Sequence, residues 1–99
     1  MKRIVFSKRS KNQLESLLEY LQNNFSILTK EKFITNFDKI VLIILKNPDT
    51  FRVSEVNGNI RKCVISKQTT LYYRYNINEI RILSLFDTRQ NPNKINKIK

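Results

Sequence analysis

Apolar residues recur along this chain with two different periods, and the change between them separates a helical first half from a strand-forming second half. Leu14, Leu17, Leu18, Leu21 and Phe25 follow at steps of three, one, three and four, which lines one face of a helix with about 3.6 residues per turn. Glu15, Glu19, Gln22 and Asn23 occupy the other faces. Ser7 and Ser10 stand ahead of this stripe as potential N-caps, and Ser10 and Gln13 have capping-box spacing. Ser26 and Thr29 interrupt the pattern. A second periodic set then follows at Phe33, Ile34, Phe37, Ile40, Val41 and Ile44, so two antiparallel helices are expected. Ile40 to Leu45 is apolar without a break and would also suit a buried strand. Helix is favoured because the spacing from Phe33 runs through it and because Asn47-Pro48 supplies a stop, helical geometry being disfavoured just before proline.

The remaining segments read as strands. Lys2 to Phe6 is a short β-branched and aromatic run, and after Asn57-Gly58 come three more, Ile60 to Ile65, Thr69 to Tyr75 and Glu79 to Phe86. The linkers between these three are short enough for an antiparallel meander. Asn57-Gly58 suits either a small hairpin or an exposed loop. Alternation places Thr69, Leu71, Tyr73 and Tyr75 on one face of the middle strand and Thr70, Tyr72 and Arg74 on the other. The first face is expected to pack on the helices. From Asn91 the chain is polar and lysine-rich, and residues 91–99 are expected to form a flexible basic tail.

Ninety-nine residues suit a single domain over residues 1–99 with one core. The lone cysteine excludes an internal disulfide and fits a reducing compartment. Cys63 lies in a predicted strand with no histidine anywhere to activate it, so a small buried hydrophobe is the simpler reading. The run Ile4-Val5-Phe6 is too short for a signal peptide core or a membrane span, and a cytoplasmic location without membrane attachment is expected. The formal net charge is +11, and its placement is uneven. Residues 1–9 hold four basic groups and no acid, residues 10–50 hold five of each, and residues 61–99 hold nine basic groups against Glu79 and Asp87. The surplus therefore sits on the sheet and termini, where it would attract nucleic acid or an acidic protein.

Chemistry is narrowed further by what is missing. Without histidine, and with acids scattered at no ligand spacing, no metal site or other cofactor is expected. The single glycine, Gly58, excludes a glycine-rich phosphate loop. Arg61, Lys62, Arg74 and Arg89, with Tyr72 as a stacking face, could form a target- or nucleic-acid-binding patch. Ordinary solvated sheet charge is the competing explanation, particularly for Lys62 and Arg74. Leu42, Ile43 and Leu45 widen the second helix's apolar stripe beyond one face, which leaves a partner surface and burial beneath the sheet both open.

Ser7 opens a helix after a basic strand, Pro48 closes the second helix, Ile60-Arg61 starts the first meander strand and Tyr73 sits in the middle one. The strand from Ile80 then ends in Thr88-Arg89-Gln90-Asn91-Pro92. In this order these features resemble the RelE/ParE family of bacterial toxins, over nearly the whole chain. The resemblance implies an α+β fold of order β-α-α-β-β-β, a two-helix antiparallel hairpin packed on a small, mainly antiparallel sheet. It also implies the toxin of a type II toxin–antitoxin pair, complexed with an acidic antitoxin that the 42, 43 and 45 positions could help bind. Members similar to RelE cut messenger RNA on the ribosome, whereas those similar to ParE act on DNA gyrase without cutting RNA. Cleavage needs groups to take and give protons as well as cations on the phosphate. Arg61 and Arg89 match basic positions of the cutting branch and would be its catalytic candidates here. Cys63 and Thr70 stand where further basic residues would be expected, and no tyrosine, histidine or acid follows Asp87. Arginine holds phosphate but is a poor proton shuttle. The ParE-like branch, a binder of gyrase and not an enzyme, is therefore the favoured expectation. A ribosome-dependent endoribonuclease and a non-toxic nucleic-acid-binding module are the alternatives.

Overall fold

A computed structural model describes residues 2–55 and 57–90. Along the chain these form strand β1 (Arg3–Phe6), helix α1 (Lys8–Asn24), helix α2 (Ile27–Lys46) and strands β2 (Arg61–Val64), β3 (Thr69–Tyr75) and β4 (Glu79–Asp87). Ser7 caps α1, its side chain accepting from the Ser10 amide at 3.1 Å. The two-residue corner Phe25-Ser26 closes the helix, both amides donating to the Leu21 carbonyl at 3.1 Å. Ser26 in turn caps α2 by accepting from the Thr29 amide. Caps of this kind typically contribute about 1 kcal/mol each. The apolar run from Ile40 to Leu45 is helical, and α2 stops at Asn47 ahead of Pro48.

The strands form one mixed sheet of order β1-β4-β3-β2, with β1 parallel to β4 and the other pairs antiparallel. The helices cover one face. Leu17 and Leu21 of α1 and Phe33, Phe37 and Ile44 of α2 are buried with Cys63, Leu71, Tyr73, Ile80, Ile82 and Leu85 of the sheet. Each fully buried aliphatic or aromatic side chain stabilises the fold by roughly 1.5 to 3 kcal/mol relative to exposure. Phe37 links the layers, with ring centroids 6.2 Å from Phe6 and 6.0 Å from Phe33.

One irregularity aims the far half of β4. Tyr72 lies opposite Ser84 but Tyr73 lies opposite Ile82, so Leu83 is an extra residue in β4. Such a bulge reverses which side chains face the core, and Ile80 and Ile82 before it, like Leu85 after it, thereby all reach the helices. Helix α1 binds the backbone at this point. The Ile82 carbonyl accepts from the Ser7 amide at 2.9 Å and the Ser10 hydroxyl at 2.8 Å, and the Leu83 carbonyl accepts from the Ser7 hydroxyl at 2.9 Å. Gln13 accepts from the Leu85 amide. Ser10 and Gln13 are therefore not a capping box. They dock α1 onto the bulge, because position 10 is already inside the helix and faces the sheet.

Candidate functional site

Strand alternation divides the basic residues of the second half between the two faces of the sheet. In β2, Arg61 and Cys63 lie opposite Tyr73 and Leu71 and share their helix-bearing face, while Lys62 lies opposite Tyr72 on the far face. Arg74 also lies on the far face, directly opposite Arg81. The expected set Arg61, Lys62, Tyr72, Arg74 and Arg89 is thus not one patch. Lys62, Tyr72 and Arg74 are together, and the two remaining arginines stand on the other side at opposite ends of the sheet.

Both of those arginines are occupied. Arg61 pairs with Asp49 at 3.0 Å and donates to the Phe51 carbonyl at 2.7 Å, its guanidinium 5.7 Å from the centre of the Tyr75 ring. Arg89 grips Asp87 through two contacts, Nε to Oδ1 at 3.0 Å and Nη2 to Oδ2 at 2.7 Å. The Asp87 side chain is fully buried and also accepts from the Thr69 hydroxyl at 2.6 Å. Burial alone would raise the Asp87 pKa, but the bonds from Arg89 and Thr69 and the arginine charge outweigh it and hold the carboxyl below its ordinary value. Tyr20 donates to the Arg89 carbonyl, and the Arg89 guanidinium lies 5.6 Å from the Phe25 ring centre. Arg89 therefore ties the end of β4 to the helical corner.

The far face carries a cavity of about 660 Å³. Tyr72 and Phe86 line it in an edge-to-face pair with centroids 5.9 Å apart. Arg9, Arg52 and Lys62 contribute cations, Glu55 the one acid, and Val53, Ile60 and Leu83 apolar wall. Among the described residues the ion pairs engage Arg61, Arg81 and Arg89, leaving Arg9, Arg52, Lys62 and Arg74 free. Cationic side chains beside an aromatic floor suit a phosphate-bearing or acidic surface. Arg9, Arg52, Glu55 and Phe86 escape the sequence reading. Arg52 and Glu55 lie in an irregular segment with no period to assign them a face, and the bulge shifts the phase that would have placed Phe86.

Proton-exchanging groups are scarce. Burial pushes the Cys63 thiol up to about 11 and the Tyr73 hydroxyl up to about 12, Arg61 opposing the latter shift. Both sit under the helices. No cluster of histidine, cysteine and acid side chains able to hold a metal occurs among the described residues, and no described helix is long and apolar enough to cross a membrane. On α2, Leu42 and Ile43 are exposed, at 58% and 41%, whereas Leu45 packs against the core. The expected basic tail, with Asn91 and Pro92, lies outside the described residues.

The sequence family described as ParE toxin of type II toxin-antitoxin system, parDE, matches residues 4–92. No curated protein matches the chain. Among solved structures the chain is similar to one from the chromosomal ParDE TA system from P. aeruginosa, with a TM-score of 0.70 and 16% identity over 88% of this chain and 96% of that one. It is also similar to the YoeB dimer from Staphylococcus aureus, with a TM-score of 0.61 and 18% identity over 86% and 94% of the two chains. The E. coli DinJ-YafQ complex contains a third similar chain, with a TM-score of 0.62 and 8% identity over 92% and 98%. At these identities the structural likeness is one of fold.

Proposed function

This chain belongs to the ParE toxin family of type II toxin–antitoxin systems, and we propose that it arrests growth by binding DNA gyrase through the far face of its sheet. A cognate acidic antitoxin neutralises it by covering basic surface and the exposed Leu42 and Ile43 ridge of α2. The observation that carries binding over cleavage is the placement of Arg61 and Arg89. Each is held in an ion pair, at opposite ends of the sheet and away from the free cations. They cannot grip one phosphate together. The far face, with Arg9, Arg52, Lys62 and Arg74 unpaired among the described residues, is suited to electrostatic capture, which steers encounter with an anionic surface. Expression of the chain in bacteria tests the reading. Growth stops, and coexpression of the adjacent small acidic reading frame restores it; harmless accumulation of soluble chain contradicts the proposal.

A single observation favours the second reading, a ribosome-dependent endoribonuclease. Glu55 lines the same cavity as Arg52, Lys62 and Tyr72, which places a carboxylate beside cations and an aromatic floor.

A further inference from the structure

We propose that Arg61 is a positioning residue of the far-face site, which shapes the cavity wall from the opposite side of the sheet and does not touch the target. The proposal rests on the far-face reading. The segment after α2 stays on the helix-bearing face through Phe51, pairs along the β2 edge at Val53 and becomes the wall formed by Arg52, Val53, Ser54 and Glu55. Three sheet side chains hold it ahead of that wall. Tyr73 donates to the Pro48 carbonyl at 2.7 Å, Tyr75 donates to Asp49, and Arg61 both pairs with Asp49 at 3.0 Å and donates to the Phe51 carbonyl at 2.7 Å. The Phe51 ring stands edge-on to Tyr73, centroids 6.5 Å apart.

Past this clamp, the described backbone bonds from the wall to the stretch it lies along are Lys62 to the Arg52 carbonyl at 3.0 Å and Ser54 to the Ile60 carbonyl at 2.6 Å. These amide bonds lie at a sheet margin, where backbone opens most readily, so the placement of Arg52 and Glu55 is coupled to what fixes Asp49 and Phe51. Arg61 alone of the clamp bonds two points of the segment at once. Its fork can do this because the guanidinium is planar with donors in fixed directions, which the ammonium of lysine cannot copy. Paired with Asp49, it also adds no net charge to the surface it supports.

Hydrogen exchange on the purified chain reads the clamp without any target. Arg61→Ala and Arg61→Lys both speed exchange of the Ser54 and Lys62 amides by roughly tenfold or more, as expected for loss of a charge-assisted bond, while β3–β4 amides keep their protection. In a titration of growth arrest against expression, both variants raise the level needed for half-arrest without lowering the plateau, and lysine does not rescue. Asp49→Ala does the same, although it removes a negative charge. If Arg61 met the target as a surface charge, lysine would preserve potency, and any contact of Arg61 with the target would make Asp49→Ala raise it by freeing the arginine. Either of those results, or unchanged protection of Ser54 and Lys62 in Arg61→Ala, overturns the proposal. Should Arg61→Ala not fold, Asp49→Asn at this exposed carboxylate decides by the same exchange measurement. Gyrase enters neither assay, so a different target would sink the functional reading and leave this result standing.

Discussion

Replacing Arg89 with alanine removes both side-chain bonds to Asp87, at 3.0 and 2.7 Å, and the contact with Phe25. Asp87 is then a fully buried carboxylate that keeps only the Thr69 hydroxyl and the residue 89 amide as partners, at 2.6 and 2.9 Å. Removing one partner of a buried pair typically costs about 3 to 5 kcal/mol. Two surviving hydrogen bonds and the 23% exposure of the arginine side chain put this case lower, at about 2 to 3 kcal/mol. For a domain of this size that lowers the melting temperature by roughly 10 to 20 °C. Urea and thermal unfolding of Arg89→Ala, Asp87→Asn and the double variant provide the assay. The double variant is expected to cost less than the sum of the singles, because the uncompensated charge is gone. An Arg89→Ala protein within about 0.5 kcal/mol of the parent, or strictly additive singles, would mean that Arg89 does not compensate the buried Asp87 charge.

The same carboxylate sets a pH dependence. Its folded pKa is below the ordinary value of 3.8, so its stabilisation is complete above that value and is lost as pH falls toward the folded pKa, the unfolded chain taking the proton first. Unfolding free energy measured from pH 5 downward should fall more steeply for the parent than for Asp87→Asn, and parallel curves would contradict this. Ser10→Ala leaves the buried bulge without the hydroxyl bond to the Ile82 carbonyl and should lower stability by about 1 to 2 kcal/mol in urea unfolding. An Arg52→Ala/Lys62→Ala variant, both free side chains on the cavity wall, should raise the dose for growth arrest with an unchanged melting temperature, and unchanged potency would remove the far face from the mechanism.

Most of the architecture is legible in the sequence because it rests on periodicity. The stripes from Leu14 to Leu21 and from Phe33 to Ile44 become α1 and α2, Phe25 falling instead at the exposed C-cap of α1, and the alternation of Thr69, Leu71 and Tyr73 puts these residues on the buried face. The helical reading of Ile40 to Leu45 holds. What local pattern cannot carry is pairing at a distance. Leu83 is an apolar residue in an apolar strand, and nothing in its neighbours reveals that Tyr72 and Tyr73 pair around it. The consequent role of Ser10, some seventy residues away, is hidden for the same reason. The candidate site is read less completely. Arg61 and Lys62 are adjacent in sequence and therefore on opposite faces, which alternation does state, but the partners that occupy Arg61 lie in the irregular stretch after Pro48.

One experiment separates a toxin that binds gyrase from one that cuts messenger RNA. Purified chain is added in parallel to a gyrase supercoiling reaction and to translating ribosomes carrying a defined messenger RNA. Supercoiling is expected to be lost at concentrations that leave the messenger intact, and this effect on gyrase weakens with salt as screened far-face charge requires. Codon-phased cuts in the ribosome-bound messenger, lost in a Glu55→Gln variant of unchanged stability while supercoiling proceeds normally, would contradict this expectation and establish the chain as a ribonuclease.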